Sequence, residues 1–251
     1  MEQILIYFVI FLFGIVIGSF LNVCIIRIPE HTTIITDRSH CMMCGYQLAW
    51  FDLIPIFSYL FLKGRCRKCA VAISPQYPIV EGVNGIGYIL VFSVYGLSAQ
   101  SILYCLLTSA LIVLTVIDWR IYEIPLGINV FILMLGILRL ALEPSNWKNA
   151  IAGFLIVSIF LELILIASKG RAIGGGDVKL MAVAGLLLGW KLILLSFFLG
   201  CLFGSVIHLI RMKKSGQDRT LALGPYLSAG IFISALWGEE LIQLYLKLAI
   251  Y

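Results

Sequence analysis

Charge is scarce in this sequence. Asp, Glu, Lys and Arg make up 12% of the chain, about half the roughly 25% of an ordinary soluble domain, while 61% of the residues are apolar. That shortage excludes a soluble globular protein, because water does not solvate so much apolar surface; a bilayer has to be the solvent for most of it. Internal repeats and low-complexity segments are missing too. The first apolar run, Ile4–Ile26, lacks a basic region before it and a small-residue cleavage site after it. It is too long for the core of a signal peptide and reads as a retained transmembrane helix. No nucleic-acid partner is expected; the expected surroundings are membrane lipid.

What is present is a series of apolar runs broken by one long polar stretch. Residues 27–78 carry Pro29, Asp37, Arg38, Lys63, Arg65, Arg67, Lys68, Pro75, Pro78 and four of the seven cysteines. Apolar runs resume at Ile79–Leu97, Ser101–Ile117, Ile124–Leu142, Asn149–Ser168, Ile173–Trp190, Leu192–Ile210 and Leu221–Leu236, the last able to continue past Glu239. The expectation is an all-α polytopic membrane protein of about eight transmembrane helices. It divides into a first helix (1–26), a small zinc-ribbon-like insert (27–78) and a seven-helix membrane domain (79–251). With the insert on the cytoplasmic side, all but four of the 18 basic residues (Arg139, Lys148, Lys191 and Lys247 are the exceptions) fall on that side, as the positive-inside rule requires. Both termini are then outside. Gly14 and Gly18 in the first helix have the GxxxG spacing that permits close helix approach.

The cysteines fall into two groups. Cys24, Cys105 and Cys201 sit singly in apolar runs and read as small packed hydrophobes. Cys41-Met-Met-Cys44 and Cys66-Arg-Lys-Cys69 form two CxxC pairs separated by 21 residues, slightly beyond the usual ribbon window. Each pair turns both thiolates toward one ion, and two pairs complete a closed S4 site suited to structural Zn²⁺. A metal would also supply folding free energy to an insert with little apolar mass. Two disulfides are the competing reading, and a reducing cytoplasmic location argues against them. Catalysis at the metal is not expected, since four thiolates leave no open position.

Acids in apolar runs are costly and usually functional. Asp118 closes the run Leu-Thr-Val-Ile-Asp-Trp-Arg, with Glu123 close behind it. Asp177 follows Gly174-Gly175-Gly176 and precedes Val178-Lys179. The topology puts both aspartates near the cytoplasmic face on different helices. Two carboxylates about 3 Å apart share one proton, so the ionised one draws a proton from water while the protonated one polarises a peptide carbonyl. The glycines let backbone come close to an extended substrate; Gly174, Gly175, Gly176 and Lys179 are the candidate substrate-binding residues. The run lacks the GxxxxGK[ST] pattern of a phosphate loop. The bland alternative for Asp118 is a surface pairing with Arg120 or Lys179. Glu162 reads as structural, and Glu81 as a partner of the basic insert.

These residues together resemble a known family, the type IV prepilin peptidases. Gly18-Ser19-Phe20-Leu21-Asn22-Val23 looks like its opening motif, and the double CxxC insert like its cytoplasmic loop. Trp50-Phe51-Asp52-Leu53-Ile54-Pro55 and Ile73-Ser74-Pro75-Gln76-Tyr77-Pro78 also resemble segments of that loop. Asp118 with Ile124-Pro125, and Gly174-Gly175-Gly176-Asp177, look like the two aspartate motifs of a GxGD-type protease. The resemblance implies an eight-helix aspartyl endopeptidase of a bacterial cell membrane, with Asp118 and Asp177 as its catalytic pair. Its substrates would be prepilin-like precursors with an apolar N-terminal helix, which lose a short basic leader on the cytoplasmic side. It further implies, as a second activity, N-methylation of the new terminus from S-adenosylmethionine; no soluble methyl-donor fold is visible in the sequence. Leu126 and Gln76 depart from the family pattern, which commonly has Asp or Asn at the first position and a basic residue at the second. Two rival readings are an ion-coupled transporter using the aspartates, disfavoured by the lack of repeated halves, and a non-enzymatic zinc-containing scaffold. Glu30, Asp37, Asp52, Glu81 and Glu123 are candidate counter-charges for a basic leader.

Overall fold

The computed structural model describes residues 2–34, 38–215 and 221–250; Asp37 and Arg219 lie outside them. Among the described residues the regular structure is helical throughout. The helices are α1 (Glu2–Arg27), the short α2 (Phe57–Phe61), α3 (Gln76–Tyr95), α4 (Ala99–Ile121), α5 (Leu126–Leu142), α6 (Trp147–Ala167), α7 (Gly175–Leu188), α8 (Trp190–Ser215) and α9 (Gly224–Ile250). The protein is an all-α polytopic membrane protein. Among the described residues, five stretches are long and apolar enough to cross a bilayer, those of α1, α3, α4, α6 and α8, and α5 is a shorter apolar helix.

Two helices differ from the uniform spans that the hydropathy pattern suggests. α7 has 14 residues, about 21 Å at 1.5 Å per residue, short of the roughly 30 Å hydrocarbon core. Glycine bounds it on both sides: extended Gly174 precedes it, and Gly189 stops it with φ +85°, a backbone region open to glycine at little cost. α9 has the length, but Ser228, Ser234, Glu239 and Glu240 interrupt its apolarity.

The chain forms two compact units, 1–113 and 114–251. In the first, α1 and α3 cross at the small-residue positions. A Cβ on Gly14 would stand 2.6 Å from Gly85 Cα, and one on Gly18 2.6 Å from Glu81 Cα, so the GxxxG pair of α1 is a backbone-to-backbone crossing. Polar groups tie the crossing together, as they must where no water is present. Asn84 Nδ2 donates to the Gly14 carbonyl (2.7 Å), and Ser109 of α4 donates to Asn84 Oδ1 (2.9 Å). The opposite face of α1 leaves Ile4, Phe8, Phe13, Val16 and Phe20 exposed, an apolar surface for lipid.

In the second unit α7 is the centre. It packs against α5, α6 and α8, and Leu180, Met181, Ala184 and Leu187 are almost wholly buried. Gly153 of α6 and Gly185 of α7 bring those two backbones into contact. A short helix surrounded by longer ones places its N-terminus, with Asp177 in the first turn, at a fixed level inside the bundle.

Candidate functional site

Asp118 lies one turn before the end of α4. The helix stops there because Tyr122 takes φ +57° while its N–H closes a last bond to the Asp118 carbonyl (2.9 Å). A non-glycine residue in that region is uncommon. It turns Glu123 and Ile124 back beside Asp118. Asp177 enters from α7, behind the extended N-cap residue Gly174, and its Oδ2 is 3.2 Å from where a Gly174 Cβ would stand. An acidic side chain is favoured in a helix's first turn.

Asp118 and Asp177 are buried, 5% and 9% exposed, and line one cavity of about 230 Å³ with Tyr122, Glu123, Ile124 and Gly176. The Asp118 carboxylate accepts the backbone N–H of Gly224 at 2.9 Å. Among the described residues its hydrogen-bond partner is therefore the start of α9, in place of Arg120 or Lys179. A Cβ on Gly224 would stand 2.7 Å from Asp118 Oδ2, so this contact requires glycine. Two buried acids facing one small polar cavity are equipped to hold water and pass a proton.

The remaining candidate residues are spread around the rim. Gly176 lines the cavity and meets Ile124, with a virtual Cβ–Cβ distance of 3.0 Å; Gly175 faces open space. Gly174 and Gly175 are exposed, and so is Lys179, which is not part of the cavity lining. Glu162 is exposed on α6. Gly224 is the residue that sequence reasoning missed. The signal for it was the Gly224-Pro225 pair, a helix-start dipeptide after a polar stretch.

Two expected counter-charges are already engaged, which corrects the sequence reading. The Asp52 carboxylate accepts Arg67 Nε at 2.8 Å and the Ala49 N–H at 3.2 Å. Glu81 is 5% exposed and accepts the Ile56 N–H at 2.7 Å. It bonds to the insert's backbone and not to its basic side chains. Glu30 and Glu123 remain exposed.

The four insert cysteines converge. All four Sγ atoms lie within 4.8 Å of one another, and Cys41 and Cys69 are 3.8 Å apart. That is the edge of a tetrahedron whose centre is about 2.3 Å from each sulfur, so the residues present fit one metal ion. The two halves are built alike. Cys41 N–H bonds to the Tyr46 carbonyl and Gly45 N–H returns to the Cys41 carbonyl; Cys66 N–H bonds to Val71 and Ala70 N–H to Cys66. Gly45 and Ala70 both take positive φ, closing each knuckle four residues after its first cysteine. Backbone N–H groups of Cys44 and Met43 lower the Cys41 thiol to about 6, while Cys69 in the same cluster is raised to about 12, so the first proton to leave the cluster comes from Cys41. Among the described residues from 28 to 75, Cys66 is the one that is fully buried, so apolar packing does little to hold the insert together.

Comparison with known proteins fits both features. Residues 12–95 match the Bacterial Peptidase A24 N-terminal domain and residues 105–209 the Type IV leader peptidase family. The chain is 33% identical over 245 residues to a prepilin leader peptidase/N-methyltransferase of Bacillus subtilis (strain 168), covering 96% of this chain and 98% of that one. The chain belongs to the type IV prepilin leader peptidase family. A second family member, from Aeromonas salmonicida (strain A449), is 32% identical over 95% of this chain and 93% of its own. A third, from Pseudomonas aeruginosa, is 28% identical over 95% and 92%. The cysteine quartet falls in the N-terminal match and both aspartates in the leader peptidase match. No solved structure matches the chain.

Proposed function

We propose that this chain is a membrane aspartyl endopeptidase in which Asp118 and Asp177 act as a pair. It removes the basic leader of type IV prepilin-like precursors at the cytoplasmic face of a bacterial cell membrane. The observation that supports this most is the shared cavity: two buried carboxylates from separate helices face one polar space. One carboxylate takes a proton from water as the water attacks the scissile carbonyl. The other gives its proton to the carbonyl oxygen; collapse of the tetrahedral intermediate returns protons to the leaving amine and restores the pair. Gly174 and Gly175 leave exposed backbone beside Asp177 and Gly176 lines the cavity itself, so an extended leader segment can lie against them. The precursor's apolar helix reaches the site by diffusing in the bilayer.

The proposed orientation puts the 27–78 insert and both aspartates on the cytoplasmic side and the termini outside, on the grounds of the basic-residue asymmetry. The proposed metal is Zn²⁺, held by Cys41, Cys44, Cys66 and Cys69; with all four positions taken by sulfur it serves the insert's fold and no chemical step. N-methylation from S-adenosylmethionine is proposed on family grounds alone. The aspartate cavity, about 230 Å³ and lined by Asp118, Tyr122, Glu123, Ile124, Gly176 and Asp177, is assigned to peptide cleavage alone.

The decisive experiment is a cleavage assay with a co-reconstituted precursor and the Asp118→Asn and Asp177→Asn variants. Loss of cleavage with normal protein level and metal content supports the pair. Full-rate cleavage by both variants refutes it.

A further inference from the structure

The insert carries apolar side chains that its small fold does not cover. Trp50 and Phe51, in a 3-10 turn at Trp50–Leu53, and Phe57, Leu60 and Phe61 of α2 are all exposed, Trp50 by 78% and Phe61 by 85%. Aromatic and aliphatic groups are kept at a water-facing surface only where something apolar meets them. Basic residues follow at once: Lys63, Arg65 and Lys68 are exposed, and the Arg67 guanidinium lies over the Phe51 ring at 4.9 Å while pairing with Asp52.

The backbone fixes the level of this segment. Ile56, between the 3-10 turn and α2, has φ +61° and ψ −52°, and Phe57 N–H bonds to the Pro55 carbonyl across it. This is a γ-turn in the strained left-handed region, at a β-branched residue for which that region is a genuine outlier. The turn aims the Ile56 N–H at Glu81, which accepts it at 2.7 Å. Glu81 is the sixth residue of α3, about 7–8 Å along the axis from its first. With 20 residues α3 just spans a hydrocarbon core, so its first turns lie at the membrane boundary. Amphipathic elements that rest in that layer bury their apolar face by about 5–10 Å. The segment therefore sits at the depth where its exposed side chains would meet the boundary between headgroups and acyl chains.

We propose that Trp50–Phe61 is a membrane-dipping element that anchors the cysteine module to the lipid surface. Its aromatic and aliphatic side chains enter the headgroup–acyl boundary, and Lys63, Arg65 and Lys68 meet anionic headgroups. Glu81 is its positioning residue. The occupant is lipid because the patch is continuous with the membrane surface from which α3 departs, and because aromatic and basic groups together match an anionic interface. The inference needs only the membrane location of α1 and α3 and does not depend on proteolysis.

The test uses the full-length protein with photoreactive p-benzoyl-phenylalanine at position 61. It is reconstituted in phosphatidylethanolamine–phosphatidylglycerol vesicles together with a prepilin-like precursor. The expected product on illumination is a lipid adduct whose yield falls several-fold when phosphatidylglycerol is replaced by phosphatidylcholine. Adducts formed with the precursor, or none with lipid, would overturn the proposal in favour of a protein-binding face. A yield indifferent to lipid charge would overturn the role of the basic residues. Tryptophan emission gives a second reading that leaves position 61 native. Brominated phospholipid quenches the Trp50 contribution, taken as wild type minus Trp50→Phe; an unquenched contribution counts against the proposal.

Discussion

The N–H of Gly224 donates to Asp118 Oδ2 at 2.9 Å, from a residue 106 positions further along the chain. The first residue of α9 thereby sets the rotamer of a buried acid on α4. No Cβ fits there without moving the carboxylate, because it would stand 2.7 Å from that oxygen. Gly224→Ala is therefore expected to cut precursor cleavage by roughly 10²-fold, the scale of an ångström-sized misplacement. Thermal stability should change much less than activity. Steady-state cleavage and a melting curve on the same preparation check this, and an unchanged rate would detach Gly224 from the site.

Both Asn variants of the proposed pair should lose cleavage by roughly 10²–10⁴-fold or more, the range contributed by a general acid or base. Neither should lose stability. Replacing one of two buried carboxylates in a common cavity removes a desolvated charge site and keeps the shape. A melting temperature at or above wild type, measured in detergent, accompanies the loss of activity in this account. A large drop would mean that the aspartates hold the fold and not the reaction.

Removing one ligand of the cysteine cage has a different signature. Cys66→Ser is expected to lower bound zinc from about one ion per chain to near zero. Residues 38–75 should then become open to proteolysis, since Cys66 is the one buried apolar residue among those described there and the ion would supply what a core does elsewhere. Elemental analysis and limited proteolysis read the two effects. Zinc retained at full occupancy by the variant would exclude the four-thiolate site.

At the α1–α3 crossing, Gly18→Leu would drive a side chain into the Glu81 backbone, where even a Cβ would lie 2.6 Å away. The expected cost is on the order of 3 kcal/mol, the upper end for overpacking. Gly82→Leu in α3 faces open space and serves as the control. Unfolding in mixed detergent should separate the two.

Much of this was legible because the signals are local. Hydropathy found the long helices, since a run of apolar residues fits a bilayer regardless of its neighbours. Gly14 and Gly18 announced a crossing through spacing alone, as did the CxxC pairs a cage. Asp118 and Asp177 stood out because an acid in an apolar run is rare. Glu81 was misread for the opposite reason: its bond to the Ile56 N–H depends on a strained turn 25 residues away, which no periodicity encodes.

By itself the sequence determined the solvent of this protein, its helical class, the four thiols of its insert that could hold a metal ion and the identity of its two suspect acids. These follow from composition and short-range spacing. Only the tertiary structure decided that both acids open on one cavity, that α9 begins against Asp118, that α7 stops short of a full span and that Glu81 holds the insert against α3. Those outcomes depend on which backbones pass within a few ångströms of each other, and that is set by packing among segments far apart in the chain.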